Sequence, residues 1–199
     1  MKCSKCSKEV SEKIYNYSKK KYSKCLCMDC QGEKPKKRDT FDYDMIKGRI
    51  GEALIEQLFI KLKYKVYRYG MENTIPGIIE LLGKAKTQVS NVIKRMPDFV
   101  IQDQSGKAYF IEVKFRSREM FSLSDLEEDK YGEYPFPNAF FIVVSKSHIK
   151  CLSYEQLKEG KKITPTYRGY YLGDVKAFET DKEVIKKFCK YATKFFEGV

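Results

Sequence analysis

The segment Ala108-Tyr109-Phe110-Ile111-Glu112-Val113-Lys114-Phe115 most constrains how this chain can fold. Its apolar content fits a buried strand. Side chains alternate across a strand, so Ile111, Val113 and Phe115 share one face while Glu112 and Lys114 share the other. A carboxylate and an ammonium carried into such a strand need compensation for lost hydration. Asp98, fourteen positions before Glu112 in Met96-Pro97-Asp98-Phe99-Val100-Ile101, supplies a second acid. A divalent cation between the two acids would compensate well.

The neighbouring sequence extends this into an α/β pattern. Ile50, Ala53, Leu54, Leu58, Ile60 and Leu62 recur at helical spacing and predict a helix from Asp44 to Leu62. Tyr64 to Tyr69 reads as a strand, as do 98–103 and 108–115, the latter two joined by the turn residues Gln104-Ser105-Gly106-Lys107. Ser124-Asp125-Leu126-Glu127 has the spacing of a capped short helix. Strands are expected at 139–144 and 149–152, with a helical turn at 153–159. Val184, Ile185, Phe188, Cys189, Ala192, Phe195 and Phe196 predict an amphipathic final helix.

Five of the seven cysteines fall within the first thirty residues. Cys3-x-x-Cys6 and Cys27-x-x-Cys30 form two knuckles suited to tetrahedral Zn²⁺, with Cys25 as the ambiguous fifth member. A segment this short lacks a sufficient core, so metal binding would supply its folding energy. Lys13, Lys19, Lys20, Lys21 and Lys24 alternate there with Tyr15, Tyr17 and Tyr22, a mixture suited to phosphate contact and base stacking. The expected organisation is a zinc module over 1–33, a basic linker over 34–44, and a main domain over 45–199 with a helical insertion at about 71–96.

The 199 residues carry a formal charge of +12. Residues 1–40 hold 12 Lys or Arg against 5 Asp or Glu, so they contribute +7. This surplus favours a polyanionic partner, most simply nucleic acid. No run of 18 apolar residues suggests a membrane span, and the Met-Lys-Cys-Ser-Lys-Cys opening lacks the apolar stretch of a signal peptide. An intracellular, cytoplasmic protein is expected. The single histidine, His148, argues against histidine-metal motifs and nucleophile triads. Cys151 and Cys189 sit in apolar contexts and read as small core residues.

A helix acid at Gly51-Glu52, then Pro97-Asp98, then Glu112-Val113-Lys114, resembles the PD-(D/E)xK nuclease superfamily, in particular its branch of archaeal Holliday-junction resolvases and restriction-endonuclease-like relatives. The N-terminal cysteines resemble small four-cysteine zinc motifs of phage and bacterial nucleases. The resemblance spans roughly 45–145. It implies a restriction-endonuclease-like α/β core, a mixed sheet flanked by helices, and a metal-dependent endonuclease acting on DNA. In that reading Glu52, Asp98, Glu112 and Lys114 are catalytic, with Glu56 as an alternate helix acid. Asp98, Glu112 and the Val113 carbonyl would bind Mg²⁺ or Mn²⁺. Lys114 would handle the attacking water with a lowered pKa. Lys47, Arg49 and Arg116 would touch phosphate, and zinc would sit on Cys3, Cys6, Cys27 and Cys30. Junction or RNA cleavage are alternatives, junction cleavage implying a homodimer. A non-catalytic nucleic-acid adaptor is the reading of a different class.

Overall fold

The computed structural model describes residues 1–32, 37–70 and 87–197. The chain divides into two compact units, Met1–Met45 and Ile46–Val199.

In the first unit, helix α1 (Glu12–Tyr22) and the short helix α2 (Met28–Gly32) accompany a small core of Cys3, Val10, Cys27 and Cys30. Ser18 is buried and ties the ends together. Its Oγ donates to the Lys24 carbonyl at 2.7 Å and accepts from the Leu26 amide at 2.8 Å. α1 ends at Ser23, whose left-handed backbone sends its N–H to the Lys19 carbonyl.

Helix α3 (Lys37–Lys61) starts seven residues before the expected Asp44. After Pro35 the sequence has no glycine before Gly48 and no proline before Pro76, so nothing interrupts the helix. Helix therefore replaces most of the expected linker over 34–44, while residues 33–36 lie outside the described residues. The greater part of the insertion at about 71–96 also lies outside them. Its described end forms α4 (Gln88–Lys94), capped reciprocally by Thr87 and Ser90.

The second unit is built on a five-stranded mixed sheet in the order β1 (Lys65–Arg68), β2 (Phe99–Gln102), β3 (Ala108–Phe115), β4 (Ala139–Val144), β5 (Ile149–Ser153). All neighbours are antiparallel except β3 and β4, which run parallel. The β2–β3 turn is organised by Asp103, whose Oδ1 accepts from the Ser105 and Lys107 amides at 2.9 Å each. Gly106 there has φ +92°, a conformation that costs other residues strain.

Period-two alternation creates two cores. On one face Phe99, Ile101, Ile111, Val113, Ile142 and Val144 pack against Leu54, Ile55, Leu58 and Phe59 of α3. The same core takes Ile185, Phe188, Ala192 and Phe196 from the final helix (Lys182–Phe196). On the other face Phe141, Val143 and Leu152 pack with Phe121, Tyr134 and Tyr154. Between β3 and β4 a 3₁₀ turn (Leu123–Leu126) precedes α5 (Glu128–Tyr131). Its cap is Ser122 with Asp125, two residues before the expected Ser124, because Glu127 turns left-handed at φ 50° and ends that turn. Helix α6 (Tyr154–Lys158) follows β5 from its N-cap Ser153, and the final helix is α7.

Candidate functional site

The β2–β3 pair brings buried Asp98 together with half-buried Glu112 and Lys114 in one cluster. Asp98 precedes the first residue of β2, where the pairing of Phe99 with Ile111 aligns the two strands. Its Oδ2 accepts the Val113 amide at 2.7 Å. Val113 therefore meets the cluster through its N–H. Glu112 Oε1 accepts from Lys114 Nζ at 2.5 Å. The other oxygen, Glu112 Oε2, is buried without a hydrogen-bond partner. Such a deficit is costly in a protein interior.

The electrostatics are those of two acids forced together. Burial, then the Glu112 carboxylate, pushes the Asp98 carboxyl well above its ordinary value, and Glu52 adds to the same field. Glu52 is half-buried on α3. Gly51 places that helix against β3, where a Cβ would meet a Val113 methyl at an ordinary contact of 3.8 Å. Burial acts to lower the Lys114 pKa, but the Glu112 and Asp98 carboxylates outweigh it and the net direction is upward. With no cation in place, the two acids favour the ammonium form; the expected lowering belongs to the metal-loaded site.

The remaining expected residues separate from the cluster. Glu56 is engaged by Arg68 through both oxygens, at 3.2 and 2.5 Å. Arg116 lies over the Phe121 ring and 3.6 Å from Asp125. On α3, Lys47 is half-buried and Arg49 exposed.

A second polar cluster was not legible in sequence. Glu119 Oε1 pairs with His148 Nδ1 at 2.6 Å and accepts from Ser145 Oγ at 2.7 Å, while Oε2 meets buried Lys150 Nζ at 3.1 Å. Lys150 also donates to the Thr164 and Tyr167 carbonyls. His148 thus has the partner that its isolation in the sequence did not suggest. Arg95 was also missed. Its guanidinium donates to the Leu126, Tyr131, Gly132 and Glu133 carbonyls and stacks over Tyr134.

In the first unit, the sulfurs of Cys3, Cys6, Cys27 and Cys30 all lie within 4.8 Å of one another. Tetrahedral zinc with bonds of about 2.3 Å needs sulfurs about 3.8 Å apart. The four thiols fit that requirement with slight closure. Backbone hydrogen bonding at Cys27 favours the Cys3 thiolate and lowers its pKa to about 6. The side-chain hydrogen bond with Cys27 pushes Cys30 upward. Thiols that deprotonate unevenly when crowded are what a soft divalent cation would level. Cys25 stands outside the four-sulfur group.

No family model matches the chain. Curated relatives are small ribosomal subunit proteins uS4c. Those of Dendrohypopterygium filiculiforme and Splachnum sphaericum are 30% and 32% identical over 92 residues, and that of Catharomnion ciliatum 29%. Each match covers 46% of this chain and 43% of the relative, so the chain spans less than half the length of these proteins. These names overturn the expected endonuclease. The relatives are named as ribosomal components, not as hydrolases, and the deoxyribonuclease, DNA-cleaving and resolvase assignments fall with it. Among the described residues no helix is long and apolar enough to cross a membrane.

Proposed function

We propose that this protein is a non-catalytic RNA-binding protein. The observation that carries the reading is its likeness to small-subunit ribosomal proteins, in a chain of net charge +12. A ribosomal subunit is built on RNA, and Lys-rich surfaces bind its phosphates by releasing condensed counterions. Two surfaces support the reading. α1 carries Lys13, Lys19, Lys20 and Lys21, with Lys21 Nζ donating to Tyr17 Oη at 3.0 Å and lying beside the Tyr22 ring. α7 lines a groove of about 690 Å³ with Lys182, Lys186, Lys187 and Lys190, beside His148 and Tyr171. Aromatic faces among cations suit unpaired bases as well as phosphate.

The resemblance to the PD-(D/E)xK core belongs to this reading as a scaffold. The mixed sheet and the buried acid pair support it. Asp98 and Glu112 would hold Mg²⁺ or Mn²⁺ through hard oxygens, and the orphaned Glu112 Oε2 is the observation that favours a cation there. A bound cation would supply positive charge toward which an RNA phosphate can turn. Zn²⁺ on Cys3, Cys6, Cys27 and Cys30 would fix the first unit.

Fluorescence anisotropy of a labelled structured RNA, with a DNA duplex as competitor, tests the function. Binding is expected to weaken steeply with salt and to prefer RNA. Absence of binding at low salt would overturn the reading, as would Mg²⁺-dependent strand cleavage that disappears in Glu112→Gln.

A further inference from the structure

Among the described residues only two buried side-chain oxygens or nitrogens lack a hydrogen-bond partner, Glu112 Oε2 and Tyr134 Oη. They belong to one neighbourhood. Glu112 pairs in register with Phe141 across the parallel β3–β4 ladder, and the Tyr134 ring packs on Phe141 at 5.1 Å between centroids. Phe110, on the Glu112 face of β3, meets Phe136, which in turn meets Tyr134. Tyr134 therefore roofs the same sheet face that carries Glu112.

The position is firmly held. The Tyr134 amide donates to Glu128 Oε1 at 2.9 Å, and Tyr154 Oη donates to the same carboxylate oxygen. Arg95 covers the ring at 5.2 Å. Only 5% of Tyr134 is exposed, yet it also borders a cleft of about 490 Å³. A phenol held this tightly without a partner is an anomaly, because a buried hydroxyl ordinarily finds one.

We propose that Tyr134 is a positioning residue for the cation site: Oη accepts a hydrogen bond from a water of the hydration shell of a divalent cation held by Asp98 and Glu112. One such water would satisfy both orphaned atoms, giving one hydrogen to Oη and the other to Glu112 Oε2. The proposal rests on the cation reading above and adds to it that the ion arrives hydrated and is selected by a phenol outside its ligands. Hydrated Mg²⁺ suits this arrangement, since it gives up its waters reluctantly.

The test titrates Mn²⁺ into the full chain, followed by loss of the free-ion electron paramagnetic resonance signal. Asp98→Asn/Glu112→Gln supplies the background of other sites. Tyr134→Phe removes only the hydroxyl and is expected to weaken Mn²⁺ binding about tenfold, the lower end for an outer-shell partner. In parallel, the assigned Tyr134 ring signals of the parent protein are followed by nuclear magnetic resonance as Mg²⁺ is added, and are expected to shift. Parent binding with an unchanged Tyr134→Phe affinity overturns the proposal. If Tyr134→Phe does not fold, ring signals that stay fixed while Mg²⁺ binds overturn it. A parent protein that binds no Mn²⁺ above background overturns the cation reading itself.

Discussion

Glu119 shows how one residue can be stabilised against its own cost. Its backbone is left-handed at φ 50°, and its carboxylate is buried. Burial alone would raise its pKa, but Ser145, His148 and Lys150 together hold it below the ordinary 4.5. A carboxylate with a depressed native pKa contributes stability above its unfolded value and loses it as pH falls through the native one. Glu119→Gln should therefore lower the melting temperature near neutrality, with the gap to the parent narrowing as pH falls below about 4.5. Leaving Lys150 in the interior with its charge partner gone costs about 3 kcal/mol. Thermal melts across pH check this, and a constant gap would refute it. This cluster was invisible beforehand, because Glu119 and His148 lie 29 positions apart and neither belongs to a periodic pattern. Asp98, Glu112 and Lys114 were legible because alternation within one strand places two of them and the strand pairing brings in the third.

Among the elements, the strands and the final helix could be read from sequence because each buries its own periodic face. α7 places Ile185, Phe188, Ala192 and Phe196 in the core, and Asp181 Oδ1 caps it by accepting the Glu183 and Val184 amides. Phe196 stacks on Phe115 of β3 at 4.1 Å. Phe196→Ala should cost about 3–5 kcal/mol, the range for an aromatic removed from a packed core. Asp181→Ala should cost only about 1 kcal/mol, the loss of a cap. Urea denaturation distinguishes the two, and equal costs would show that α7 is held by its cap and not by its face. The earlier start of α3 and the shifted cap at Ser122 escaped sequence reading for a common reason. Charged residues such as Lys37 and Asp39 carry no apolar period, and two overlapping Ser-x-x-acid spacings differ only in where the backbone turns left-handed.

At the scale of the molecule, the two units differ in what can stabilise them. Ile46–Val199 has two large apolar cores, whereas the core of Met1–Met45 is made chiefly of cysteines. A zinc chelator should abolish the α1 contribution to far-ultraviolet circular dichroism and leave the cooperative melt of the larger unit in place. Cys27→Ser should reproduce the effect without chelator. Retention of α1 after complete metal removal would show that thiol packing alone holds that unit. The cysteine spacing made this contrast readable, but the partner of the whole chain was not encoded in any strand. The acid pair and the basic composition were compatible with cleaving or holding a nucleic acid, and the ribosomal relatives decide against cleavage.

The strand order β1 to β5 follows the chain, with one crossover between the parallel strands β3 and β4, and this bears on how the protein reaches its native state. β1–β2, β2–β3 and β4–β5 are antiparallel neighbours, and the last two are joined by short turns, so loop closure there costs little entropy. β3–β4 instead closes across residues 116–138 before any parallel hydrogen bond forms. That closure carries the largest loop entropy in the β2–β5 sheet, and in the folded chain Arg95 clasps four carbonyls of the crossover. Until the crossover closes, the β3 edge is open to pairing with other chains, so slower refolding and more aggregation are the expected outcomes for Arg95→Ala in stopped-flow and light-scattering measurements.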